Sequence, residues 1–430
     1  MTEPTNTDSG LSRRRSSGNP LKRLNLRPYV TGMLPLFVLA HFGHHGVGAM
    51  MNPLTPMIRT DLNLNYTQVG FMRMAFGLTA GLSQLPAGII ADKLGVRIMV
   101  LLGVTGVALA GFLLGFTHSF TWLLVFLILS SIMGAGYHPA SAAAISSSVK
   151  EEIRGRTLGL HLVGGTSAFW VFPLLATPIA AKWGWQAPYL VISIPLAILG
   201  IALYFFIGKR AKADLKRRLE QEEKAPEVTS TVDKINWGRV IPFIVVSVVT
   251  GTVVQSVSAY LSLYATDVLL VSEATAGMLM SITPGVGLFA APLGGYLGDR
   301  FGGMKVIIIV SFLSIPLMYL MGRAPNVGVL VILMIAMGLI MNTRMPTSES
   351  YLTSNVPENK RATIMGIYYF SGTGISAPLS PIVGNLIDRI GFPKTFGYAS
   401  AATAVIAAVC TLFLWKNRGF DKYPEITGKQ

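Results

Sequence analysis

Apolar residues run for roughly twenty or more positions at a time along this chain, and polar or charged residues gather in short breaks between the runs. A helix needs about 20 residues to cross a bilayer, so the runs have the length of membrane spans. Twelve are predicted, at 30–54, 67–91, 98–117, 120–148, 157–181, 186–208, 239–265, 274–298, 304–322, 326–353, 362–387 and 395–415. In lipid, each backbone N–H and C=O must be satisfied within its own segment, which makes these runs α-helices; a barrel would show short alternating stretches. The expected fold class is an all-α polytopic membrane protein with 12 transmembrane helices.

Composition strengthens this reading. Only 13% of the 430 residues are charged and the mean hydropathy is +0.55, where a soluble domain carries about 25% charge. An ordinary soluble enzyme is excluded. The net charge of +15 does not point to nucleic acid, because almost no soluble scaffold exists to display a basic face. It points to membrane orientation instead. Of the 33 Lys and Arg residues in predicted loops and tails, 28 fall on the side of the N-terminus, which under the positive-inside rule places both termini in the cytoplasm of a plasma or inner membrane protein. Cys410, the single cysteine, lies in the last apolar run and offers neither a disulfide nor a thiolate metal site.

The same pattern divides the chain into a cytoplasmic tail (1–29), a six-helix bundle (30–208), a cytoplasmic linker (209–238), a second six-helix bundle (239–415) and a second tail (416–430). The linker carries Lys216-Arg217-Arg218 followed by Glu220, Glu222 and Glu223, and suits an amphipathic surface helix or a solvated strap. A shift of 207 positions superposes Gly70 on Gly277, Gly88 on Gly295, Asp92 on Asp299, Gly95 on Gly302, Pro139 on Pro346, Ser141 on Ser348 and Gly165 on Gly372. Two parallel repeats of six helices form a transporter architecture, with the solute site between them near mid-membrane.

The predicted loops after spans 2 and 8 read Gly88-Ile-Ile-Ala-Asp92-Lys93-Leu-Gly95-Val-Arg97 and Gly295-Tyr-Leu-Gly-Asp299-Arg300-Phe-Gly302. Glycines let helix ends approach, a carboxylate can face a helix N-terminus, and cations remain in the headgroup layer. In this repeated motif the chain resembles the major facilitator superfamily (MFS). The resemblance implies two bundles rocking about a central cavity, with Asp92, Lys93, Arg97, Asp299 and Arg300 as gating residues. The second copy departs at its end, with Met304 at the place of Arg97 and Lys305 one position later. Three further stretches are similar to fosmidomycin-resistance-like exporters: Ala40-His41-Phe42, Gly134-Ala-Gly-Tyr-His138-Pro139, and Leu162-Val-Gly-Gly165 leading to Pro173-Leu174. His45 stands where that group would place an acid. Ser130 and Phe172-Pro173 replace the arginine and the Gly-Pro pair of drug-proton antiporters, which weakens a multidrug reading.

Ionisable residues inside spans are costly and so are functional candidates. Arg73 shares a stripe with Gly70, Gly77, Gly81 and Gln84, and Arg344 lies beside Asn342 and Pro346. Substrate binding is expected from Arg73, Arg344, His138, Gln255, Tyr260 and Tyr368. Proton coupling is expected from Glu349, His138, His41 and His45, since imidazole titrates near neutral pH. His41, His44 and His45 share one helical face with Gly48 and Asn52, a spacing that could hold a metal; with no acid or thiol nearby in sequence, no metal site is assigned. Two arginines and up to five histidines against one in-span glutamate favour a small organic anion. No phosphate-binding loop is present, so no nucleotide or other cofactor is called for. The expected protein is a proton-coupled secondary transporter acting as a monomer and not an enzyme, with a drug or metabolite exporter as the alternative within its class. A solute sensor that does not transport is the alternative from another class.

Overall fold

The computed structural model describes residues 33–148, 151–220, 235 and 237–416, and among them it is helical with no strand. The helices are α1 (Leu34–Asp61), α2 (66–94), α3 (96–114), α4 (Phe120–Gly134 continued by Tyr137–Ser148), α5 (Glu151–Trp183) and α6 (Gln186–Glu220). The second half follows as α7 (Trp237–Ser258 continued by Leu261–Asp267), α8 (Glu273–Leu279 continued by Ile282–Phe301), α9 (Gly303–Met321), α10 (Val327–Ser354), α11 (358–390) and α12 (392–416). Each predicted span has its helix. α6 differs in extent, continuing to Glu220 into the stretch read as linker, because Lys, Arg and Glu are good helix formers and nothing breaks the run.

Nine stretches of the described residues are long and apolar enough to cross a membrane by composition alone. α1 and most of α2 are not among them, because His41, His44, His45, Asn52, Arg73 and Gln84 dilute their apolar character. These more polar helices face protein rather than lipid, as the site below makes clear.

The repeat extends to backbone detail. All six positive-φ residues among the described ones form pairs 207 apart: Asn63 with Leu270, Gly95 with Gly302, and Gly184 with Gly391. The glycines sit at tight reversals between helices, where a side chain would be strained. The helix caps obey the same offset. Asn65 and Ser272 cap the starts of α2 and α8, and Ser119 and Asn326 cap those of α4 and α10, each accepting a bond from a backbone N–H three residues on.

The halves meet along α2 with α11 and, in the repeat-related position, α5 with α8. Small residues permit the approach: Gly77 lies against Ala377 and Gly81 against Gly374. α1 begins and α12 ends at one end of the bundle, the terminal end. At the opposite, far end, polar contacts tie the halves together. Arg59 pairs with Asp267 at 2.8 Å, Thr60 donates to Glu273 at 2.6 Å, and the Tyr66 hydroxyl donates to Asp267. Asp388 accepts from the N–H groups of Tyr66 and Thr67 at 3.1 and 2.9 Å, a carboxylate at the positive end of α2.

Candidate functional site

A cavity of about 360 Å³ lies between the halves. α1, α2 and α4 contribute His44, His45, Asn52, Arg73, Gln84 and His138; α7 and α11 contribute Gln255, Ser256, Ser376 and Ser380. Of the predicted substrate residues, Arg73, His138 and Gln255 are thus brought together. The Arg73 guanidinium on α2 donates to Asn52 Oδ1 on α1, while its Nε has no hydrogen-bond partner. The side-chain partner of Arg73 is thus a neutral amide, whereas Arg59 at the far end is paired with the carboxylate of Asp267. Burying a guanidinium without a counter-charge costs several kcal/mol in a protein interior, on the order of an unpaired buried ion.

Arg344 does not line this cavity. It reaches from α10 to the Ser247 carbonyl on α7, in a notch left open by Gly251, where a Cβ would overlap the guanidinium. The Ser247 hydroxyl is 2.8 Å from Ser348 and 3.3 Å from Tyr368, so Tyr368 belongs to the Arg344 network. Tyr260 is fully buried, its hydroxyl 2.7 Å from the Ser380 carbonyl and 3.2 Å from that of Tyr66, and it ties α7 to α11 and α2 instead of facing the cavity. Glu349 is half-buried on α10 and has a contact of its own.

The histidines gather more closely than sequence spacing suggests. His41 and His161 stack at 4.2 Å, His44 stacks on Tyr137 at 4.5 Å, and His138 meets His41 and His45 at 5.2 and 5.3 Å between ring centroids. Backbone carbonyls fix two tautomers, since a carbonyl can only accept. His41 Nδ1–H donates to the His161 carbonyl and His44 Nδ1–H to that of Gly103, both at 2.8 Å. His41 Nε2 therefore carries a lone pair, and it lies 3.1 Å from His45 Nε2. Gly165 makes room, for a Cβ there would stand 2.7 Å from His41 Nε2.

Among the motif residues, Arg97 docks in its own half. It lies 4.5 Å over the Tyr204 ring of α6, in space that Gly208 leaves free. Arg300 lies over Phe301 at 5.5 Å and donates to the Tyr296 hydroxyl at 2.5 Å, and Lys93 is exposed. The side chains of Asp92 and Asp299 lie outside the described residues. Residues not singled out from the sequence also shape the site: Ser376 and Ser380 line it, and Tyr137 holds the imidazoles together. The signal that could have found Tyr137 was the 207 offset, which pairs it with Arg344.

Comparisons with known proteins agree with this architecture. The profile described as Major Facilitator Superfamily matches residues 37–270 and 266–429. Multidrug resistance protein MdtG of Salmonella dublin is 24% identical over 332 residues, covering 77% of this chain and 80% of that protein; the Salmonella typhimurium LT2 protein gives the same values. A bacterial homologue of the human lysosomal transporter Spinster, solved inward-facing and occupied, superposes with a TM-score of 0.70 at 16% identity, over 93% of this chain and 99% of that one. A POT family transporter in complex with 5-aminolevulinic acid superposes with a TM-score of 0.74 at 14% identity, over 89% and 96% of the two chains. With two six-helix repeats around a central cavity and a profile matching nearly the whole length, this multi-pass membrane chain belongs to the Major Facilitator Superfamily.

Proposed function

We propose that this secondary transporter moves a small organic anion through the Arg73 cavity by alternating access. The observation that carries the reading is a half-buried guanidinium that faces the cavity with an unbonded Nε and a neutral amide, Asn52, as its side-chain partner. A substrate carboxylate or phosphonate would supply the missing charge, and the amide of Gln255 and the hydroxyls of Ser376 and Ser380 would take its remaining polar groups. Arg344 is a second station on the path, holding the same charge sign in the other half. Protons are the proposed driving ion, bound at Glu349 and at the imidazoles of His41, His45 and His138.

The cation count along the loops favours an inner-membrane protein with the terminal end in the cytoplasm, and a monomer is proposed with it. On that orientation the ion pair and hydrogen bonds at the far end tie the two halves together on the external side. The domain boundaries at 30–208 and 239–415 are part of the same proposal, as is a gating role for Asp92, Lys93, Arg97, Asp299 and Arg300. A drug-exporting reading has its own support in the 24% identity to the MdtG proteins and in Met51, Phe76 and Phe169, which give the cavity an apolar wall.

Binding to purified protein, screened across organic acids and neutral and cationic drugs, separates the two. Arg73→Gln is expected to weaken an anionic ligand by about 2 kcal/mol, the scale of one charge-assisted hydrogen bond. Arg73→Lys should restore only part of it, because the ammonium lacks the planar fork. A neutral or cationic substrate bound equally by wild type and Arg73→Gln would refute the anion reading.

A further inference from the structure

We propose that His41, His45 and His138 form a binding site for one divalent transition-metal cation of the zinc and cobalt type, with a coordination position open to the central cavity. The proposal does not depend on the anion reading, because the ligands are imidazoles and not Arg73.

Five observations lead to it. His41 and His45 stand one turn apart on α1, and His138 comes from α4, so the donors surround a point instead of lining a strip. The ligand atoms of the three all lie within 4.8 Å of one another. The two Nε2 atoms of His41 and His45 are 3.1 Å apart, close to the roughly 3.4 Å that a tetrahedral ion with Zn–N bonds of about 2.0–2.1 Å imposes on two of its ligands. His41 turns its other nitrogen to a backbone carbonyl, the outer-shell bond that fixes a metal-binding imidazole in the right tautomer and orientation. Lastly, neither ring nitrogen of His138 has a hydrogen-bond partner among the described residues, although the ring lines the cavity between the halves.

A packed cluster of neutral imidazoles explains these features less well. It would need His45 to donate Nε2–H to His41 and would leave His138 idle beside them. A cation uses both lone pairs and recruits the third ring. Imidazole nitrogen suits zinc, copper, nickel and cobalt, whereas magnesium and calcium prefer oxygen. Three ring ligands and no thiolate leave a fourth position for water or for an oxygen of a solute in the cavity. Gly165 leaves room beside two of the donors, since a Cβ there would lie 2.7 Å from His41 Nε2 and 2.9 Å from His45 Cδ2.

The test is cobalt titration of the full chain, purified without a polyhistidine tag and held in nanodiscs. Wild type is expected to bind one Co²⁺ per chain with the intense visible bands of a tetrahedral or five-coordinate site, and Zn²⁺ should displace it. His45→Gln and His138→Gln should each lose at least tenfold in affinity, while His118→Gln, exposed and outside the cluster, should leave it unchanged. Unaltered size-exclusion profiles and tryptophan fluorescence would certify folding of the variants. X-ray absorption on the zinc-loaded wild type needs no variant and should show three imidazole scatterers. Absence of stoichiometric binding, loss of binding in His118→Gln, wild-type affinity in both cluster variants, or fewer than two imidazoles in the zinc shell would each overturn the site.

Discussion

In the first half, Tyr137 and His44 stack face to face at 4.5 Å, and the Tyr137 hydroxyl lies 3.1 Å from the Phe37 carbonyl and 3.0 Å from His161 Nε2. The positions 207 residues later hold Arg344, Gly251 and Tyr368, in place of Tyr137, His44 and His161. There a long cation lies in a glycine notch, donating to the Ser247 carbonyl, with Ser247, Ser348 and Tyr368 hydroxyls around it. The two halves therefore bury polar groups at the same places on a shared backbone and fill them with different chemistry. An imidazole can be buried neutral and fixed by one tautomer; a guanidinium keeps its charge and needs acceptors and space. Duplication preserved where polarity is tolerated, and the charge at each place was free to diverge.

The sharpest way to break this comparison is to close the notch. Gly251→Val would drive a branched side chain into the Arg344 guanidinium and strip a buried cation of its acceptor. The expected loss is about 3–5 kcal/mol of stability, measured by denaturant unfolding in detergent; a variant as stable as wild type would mean that Arg344 has another resting place.

A paired substitution tests the same asymmetry with a single methyl. Gly165→Ala meets His41 and His45 and should cost about 1–3 kcal/mol by overpacking. Its repeat partner Gly372 has nothing within 4 Å of an added Cβ, so Gly372→Ala should stay within about 0.5 kcal/mol of wild type. Equal effects in thermal unfolding would erase the difference drawn between the halves.

Tyr137→Phe removes the hydroxyl that joins α1, α4 and α5 and should cost about 1 kcal/mol, the net value of a buried hydrogen bond. The smallest effect is expected outside both networks. Arg59→Gln breaks an ion pair whose side chains are each 27% exposed, which is worth less than about 1 kcal/mol and should fade further at high salt. A salt-independent loss larger than that of Tyr137→Phe would make the far-end pair, and not the buried networks, the main polar tie.

Much of this was written locally. A run of apolar residues in lipid has to be a helix whatever surrounds it, so the twelve spans and the 207-residue register followed from the chain alone. Helical spacing also put Arg73 on one stripe with Gly70, Gly77 and Gly81, and those glycines do meet Pro381, Ala377 and Gly374 on α11. What the sequence left open was which stripes face each other. His138 and His161 lie far from His41 along the chain, and nothing in helical periodicity says that α4 and α5 turn those rings toward α1. The pairing of Arg97 with Tyr204, the separation of Arg344 from the cavity that holds Arg73, and the use of Tyr260 as a tie between helices were likewise decided by packing. Backbone hydrogen bonds in a helix close within four residues and can be read from composition, whereas neighbours across a bundle are chosen by how side-chain volumes fit, a property of many residues distant in sequence.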